Sequence, residues 1–189
     1  MYIVFDLETN GIGNFRPIPT QTITQLAYIK FNNKGDIIHQ DSHIVKGATQ
    51  INNSIPEVKV TIDDINNKGI PLEEAILKFF SIIDDEDILF SHNTDFDKGL
   101  INQAIKGTDL YFPKNKLICT MKNSTNFCKL KKTGYASCYS GYKWPALHEL
   151  ASILNVNVNN TMLHDALYDC LITKECVLKG ILLGVFLIN

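Results

Sequence analysis

The chain has 189 residues, 45% hydrophobic and 20% charged, with a formal net charge of -2. That length supports one core and a single domain over 1–189, and the near-neutral charge excludes a protein that holds nucleic acid by bulk basicity alone. The five cysteines form no CxxC pair, and the opening MYIVFDLETN has no basic leader, so a cytoplasmic setting with free thiols and no membrane contact is expected.

In chain order, Tyr2–Glu8 is an apolar run that predicts a buried strand, followed by a loop from Gly11 to Pro19. Thr22–Phe31 and Asp36–Val45 predict two further strands, joined by the hairpin signal Asn32-Asn33-Lys34-Gly35. Gly47–Gly69 reads mostly as loop, with a short helix near Thr61–Asn66. Pro71 opens a helix whose apolar positions Leu72, Ala75, Ile76, Phe79, Phe80 and Ile83 recur at three and four. Asp87–Ser91 predicts a short buried strand, and Asn93 or Thr94 caps a helix to about Ile105. Lys116–Cys119 predicts a strand, with Thr120 capping the helix after it. Pro145–Leu154 and Leu163–Leu178 are the last clear helices. The tail VLKGILLGVFLIN is too short to span a bilayer and reads as a last helix and strand on the core, with a docking surface for a second chain as the alternative. A meander followed by helix–strand alternation predicts an α/β fold: a mixed five-stranded sheet, antiparallel in the meander and parallel beyond it, flanked by helices.

Asp6 and Glu8 end the first strand. Residues i and i+2 leave the same face of a strand, so both carboxylates crowd one site. Two buried like charges repel and lose hydration, and a hard divalent cation, Mg²⁺ or Mn²⁺, removes both costs. For a lone Asp-x-Glu the plain alternative is a pair of solvated acids. Ser91-His92-Asn93-Thr94-Asp95-Phe96-Asp97 then follows a strand and opens a helix, placing Asp97 near the carboxyl end of the sheet, where ligands bind in open α/β folds. In Leu163-His164-Asp165-Ala166-Leu167-Tyr168-Asp169, Asp165 is a candidate N-cap, Asp169 lies about one turn into the helix and His164 just outside it.

Four carboxylates and one His are the equipment for two-metal phosphodiester hydrolysis. Asp6 would bridge two divalent cations, Glu8 and Asp169 would complete the site of the attacking water, and Asp97 would help hold the second ion. His164, with an ordinary pKa near ~6.5, would take the proton from that water.

The order Asp6-x-Glu8, His92-Asn93-x-x-Phe96-Asp97, His164-x-Ala166-x-x-Asp169 resembles the DEDDh 3′-to-5′ exonucleases, a family that includes the proofreading epsilon subunit of bacterial DNA polymerase III and ribonuclease T. The resemblance covers Tyr2 to about Lys174. It implies a ribonuclease H-like fold and a terminal-nucleotide pocket lined by Thr9, Asn10 and Gly11, with His92, Asn93 and Phe96 as further substrate contacts. Phe96 also suits the core. It implies single-stranded 3′ ends as substrate, DNA preferred over RNA, release of nucleoside 5′-monophosphates, and a DNA polymerase as a candidate partner. The alternatives are an exoribonuclease and a non-catalytic polymerase accessory. Oligomeric state stays open.

Leu110–His148 contains no Asp or Glu but carries Lys114, Lys116, Lys122, Lys129, Lys131, Lys132 and Lys143 among Tyr111, Phe112, Phe127, Tyr135, Tyr139, Tyr142 and Trp144. This pattern suits a face that guides a single strand, against the alternative of a solvated loop with some buried aromatics. Trp144, before Pro145, is expected to be a packing residue.

Overall fold

β1 (Tyr2–Thr9) lies at the centre of the sheet, and its alternation sorts the two faces. Ile3, Phe5 and Leu7 enter one apolar cluster, and Val4 enters the other. The computed structural model describes residues 1–11, 21–52, 57–134 and 140–188. β2 (Ile23–Phe31) pairs antiparallel with β1, and β3 (Ile37–Ile44) pairs antiparallel with β2. β4 (Ile88–Ser91) pairs parallel with β1, and β5 (Leu117–Cys119) with β4. The strand order is β3-β2-β1-β4-β5, the mixed five-stranded sheet expected from the meander and the later crossovers.

α1 (Ile62–Lys68) begins at Thr61, whose hydroxyl accepts the Asp64 N–H in a capping box. α2 (Leu72–Ser81) and α3 (Thr94–Ala104) bury Ile76, Phe79, Leu100 and Ile101 against the Ile3–Phe5–Leu7 face. α4 (Thr120–Cys128) follows β5 directly. α5 (Leu147–Ile153) and α6 (Ala166–Leu182) bury Leu150, Ala166, Cys170 and Val177 against the Val4 face. Both faces are therefore covered, as a partly parallel sheet requires.

Three local expectations change. The N-cap of α4 is Cys119, whose thiol accepts the Lys122 N–H. The Thr120 hydroxyl is occupied elsewhere, 2.9 Å from His92 Nδ1 and 3.3 Å from the Ser91 carbonyl. Asn93 is the N-cap of α3, but its side chain makes no capping bond because its backbone is left-handed, φ 104°. In the tail, α6 continues to Leu182 and the chain then turns, with no strand among the described residues. Phe186 folds back there and is 1% exposed, its ring lying over Gly180. Among the described residues no helix is long and apolar enough to cross a membrane.

Candidate active site

The site forms where β1 outruns its neighbour. β4 pairs with β1 only through Val4↔Phe90, whereas β1 continues to Thr9. Asp6 and Glu8 project from this unflanked end, on the face that Val4 shares with α6. Asp97, in the first turn of α3, fills the gap left by β4. Its carboxylate accepts the Ser91 hydroxyl at 2.8 Å and a backbone N–H from Leu7.

The third contribution arrives with α6. Asp165 caps that helix by accepting the Tyr168 N–H at 3.0 Å. Gln25 of β2 then fixes the cap from the sheet: its amide nitrogen donates to Asp165 Oδ2 at 3.2 Å and its oxygen accepts the Ala166 N–H at 3.2 Å. His164, just before the cap, is left-handed at φ 66° and exposed. Its backbone N–H donates to Asp169 Oδ2 at 3.1 Å. Asp169 Oδ1 is buried and has no hydrogen-bond partner among the described residues.

The resulting cleft of about 220 Å³ gathers Asp6, Glu8, Asp97, Asp169 and His164, together with His92, Asn93 and Phe96. Ligand atoms of Glu8, His164 and Asp169 lie within 4.8 Å of one another. Burial and mutual repulsion raise the carboxyl pKa values. Asp6 is raised well above the usual range by burial, then by Asp97, Glu8 and Asp169. Glu8 is pushed up to about 8 by burial and then by Asp169, Asp165 and Asp97. Asp97 rises to about 7 through burial, against the hydrogen bonds from Ser91 and Leu7. Asp169 rises to about 6, again through burial, with the His164 N–H and Lys59 opposing.

A divalent cation fits this arrangement. The donors are hard oxygens with one imidazole, they carry clustered like charge, and Asp169 Oδ1 is a buried acceptor without a donor among the described residues. Divalent metal is also what the family described below implies.

Other predicted residues take different places. The His92 ring is held at both nitrogens, with Nε2 3.0 Å from the Pro145 carbonyl and Nδ1 2.9 Å from Thr120 Oγ1. Burial lowers its pKa to about 4, so it is neutral, donating to Pro145 and accepting from Thr120. Thr9, Asn10 and Gly11 do not line the cleft. Asn10 is 2% exposed, and its amide donates to the Gln50 carbonyl at 3.2 Å and accepts the Thr22 N–H at 3.1 Å. Its backbone N–H and carbonyl are also taken, by the Thr22 carbonyl and the Asn52 N–H. The bonds of Asn10 therefore tie the end of β1 to Thr22, Gln50 and Asn52. Phe96 serves both roles, packing partly on the core and lining the cleft.

Three residues were not legible beforehand. Lys59 faces the carboxylates, lowering the pKa of Glu8 and Asp169, and anchors through Nζ to the Thr161 carbonyl at 2.9 Å. Leu147 lines the cleft from α5, and Gln25 holds the start of α6. None carries a local motif, because each acts across a long sequence separation. In the Lys- and aromatic-rich segment, Tyr135, Tyr139 and Cys138 lie outside the described residues. Trp144 is not a packing residue: it is 59% exposed.

An exonuclease family model, RNase_T, matches residues 3–177. The chain is 31% identical over 121 residues to the PolC-type DNA polymerase III of Listeria innocua serovar 6a, covering 64% of this chain and 8% of that protein. It is 28% identical over 179 residues to the PolC-type DNA polymerase III of Bacillus subtilis strain 168, covering 94% of this chain and 11% of that one. The chain thus spans about a tenth of the length of these curated relatives. Among solved structures, the nuclease domain of 3′hExo, a DEDDh family member bound to rAMP, superposes with a TM-score of 0.75 at 15% identity, covering 97% of this chain and 92% of that one. That likeness is one of fold, and it matches the mixed sheet described above. With the family model spanning nearly the whole sequence, the chain belongs to the exonuclease family, on a ribonuclease H-like fold.

Proposed function

We propose that this chain is a metal-dependent 3′-to-5′ exonuclease that shortens single strands, preferentially DNA, and releases nucleoside 5′-monophosphates. The observation that carries the reading is the buried Asp169 Oδ1, unpartnered among the described residues and crowded by the carboxylates of Asp6, Glu8 and Asp97. Such a site is costly unless cations occupy it.

Asp6, Glu8, Asp97 and Asp169 would hold the divalent cations, with Glu8 and Asp169 on the side of the attacking water. Paired divalent cations supply charge for the attacking and leaving oxygens. His164, exposed and within 4.8 Å of Glu8 and Asp169 ligand atoms, accepts the proton of the water. Its backbone N–H donates to Asp169, which ties the segment carrying the base to the ligand. Phe96 and Leu147 wall the cleft, and Asn93 presents a side-chain amide that caps no helix.

DNA is favoured because the curated relatives include PolC-type DNA polymerases, which also makes a polymerase the natural partner in proofreading. RNA is the second reading, favoured by the fold match to a nuclease domain bound to rAMP. The test is cleavage of 5′-labelled single strands, one DNA and one RNA, with Mg²⁺, with Mn²⁺ and with chelator, using Asp6→Ala as control. A metal-dependent ladder from the 3′ end of DNA, absent in Asp6→Ala, is expected. A ladder on RNA alone moves the protein to RNA turnover, and no cleavage of either leaves a non-catalytic module.

A further inference from the structure

A second hollow, of about 500 Å³, lies beside the cleft and shares none of its lining residues; it is bounded by Lys132, Tyr142, Lys143 and Trp144. It is tied to the cleft at two points. The Pro145 carbonyl, next to Trp144, lies 3.0 Å from His92 Nε2. Lys122 pairs with Asp95, two residues before Asp97, and sets its Nζ 5.9 Å from the Trp144 ring centroid. The two aromatics are open to solvent, Trp144 at 59% and Tyr142 at 39%.

The charges around the hollow are unequal. Lys143 is paired with Glu149 at 2.6 and 2.7 Å. Lys132 instead reaches a neutral group, the Ser140 carbonyl at 2.6 Å. Among the described residues no acidic side chain lines the hollow, and the sequence from Leu110 to His148 contains none. An exposed indole under an ammonium, with a further lysine at the rim, suits a base stacked on the ring and a phosphate beside it. An apolar peptide would match the aromatics but leave the Lys132 charge without a counterpart.

We propose that this hollow binds a nucleotide of the single strand upstream of the bond cut in the metal cleft, with Trp144 stacking on its base and Lys132 contacting its phosphate. The inference rests on the exonuclease reading: when the 3′ terminus occupies the cleft, whatever lies outside it holds the 5′ remainder. Trp144 and Lys132 are then positioning residues for the strand, remote from the reacting bond.

Trp144 is the only tryptophan in the chain, so its emission reports on the hollow directly. The full chain would be titrated, in chelator to prevent cleavage, with an octanucleotide of thymidylate and separately with thymidine 5′-monophosphate. The octanucleotide is expected to quench Trp144 saturably, in step with fluorescence anisotropy of a 5′-labelled copy, and the mononucleotide to leave emission unchanged. Trp144→Phe keeps the anisotropy-measured affinity, Trp144→Ala weakens it about 5-fold or more, and Lys132→Ala weakens it and flattens its salt dependence. Octanucleotide binding without a change in emission, unchanged affinity in Trp144→Ala, or no octanucleotide binding at all overturns the proposal. Metal-dependent 3′ shortening without quenching removes the subsite and keeps the exonuclease. Quenching by the octanucleotide without cleavage does the reverse.

Discussion

The backbone N–H of His164 donates to Asp169 Oδ2 at 3.1 Å, so the proposed base and a proposed metal ligand are joined through main chain, not through the imidazole. Removing the ring therefore leaves the carboxylate in place. His164→Ala is expected to slow cleavage by about 10²–10⁴-fold while metal affinity is largely kept. Turnover numbers and calorimetric metal binding on the same variant check this. An unchanged rate takes His164 out of the mechanism.

The crowded carboxylates predict a stability that depends on metal. Divalent cation at a hundredfold excess over Kd adds about 2.7 kcal/mol, or about 5–10 °C in Tm for a chain of this size. Asp169→Asn is expected to lose most of that shift and to be no less stable than the parent in chelator, because it removes a buried charge. Thermal melts with Mg²⁺, Mn²⁺ and chelator decide it. An equal metal shift in parent and variant counts against Asp169 as a ligand.

Far from the site, buried Lys30 sits 2.7 Å from Asp87 Oδ2, and the Asp84 N–H donates to the same oxygen at 2.9 Å. Burial alone would raise the Asp87 pKa, but the bonds from Lys30 and Asp84 outweigh it and hold it below the usual value of 3.8. A depressed carboxyl stabilises the fold above its unfolded pKa and loses that contribution as pH falls through the folded value. The parent should therefore lose stability on acidification below about pH 4. Asp87→Asn should cost about 3 kcal/mol at neutral pH and show a shallower acid loss. Urea unfolding across that pH range measures both. An acid slope identical to the parent's would rule out Asp87 as a source.

Two helical glycines should respond in opposite directions. A Cβ on Gly180 would lie 2.3 Å from the Phe186 ring, whereas one on Gly99 meets nothing within 4 Å. Gly99→Ala should stabilise by about 0.5–1 kcal/mol through helix propensity. Gly180→Ala should destabilise by about 1–3 kcal/mol through overpacking. Denaturant midpoints give both signs in one experiment, and a stabilising Gly180→Ala would mean that Phe186 does not pack as described.

What could be read from the sequence was what repeats at short range. The two-residue period of β1 put Asp6 and Glu8 on one face, and the spacing in His164-x-Ala166-x-x-Asp169 placed a His outside a helix and an acid within it. Both hold in the structure. What could not be read depends on partners far away in the chain. Thr120 has the chemistry of a cap, but Ser91 and His92 take its hydroxyl. Asn10 follows the first motif, yet Thr22 and Gln50 use its side chain. Lys59 lies in an unremarkable loop, and only folding brings its charge toward Glu8. The tail looked like a strand from its apolar run, but Phe186 is satisfied by returning to Gly180, so no pairing edge is needed.

The mismatch in length between β1 and β4 limits how the protein can change. The opening exists because the ladder stops at Phe90, and the Leu7 amide there serves a carboxylate where a neighbouring strand would otherwise pair. Residues added to β4 that continued alongside Glu8 would claim that amide and leave Asp97 buried with one donor fewer. Insertions at this edge are therefore confined to loops, whereas the outer edge at β3, remote from the opening, can lengthen without touching the chemistry.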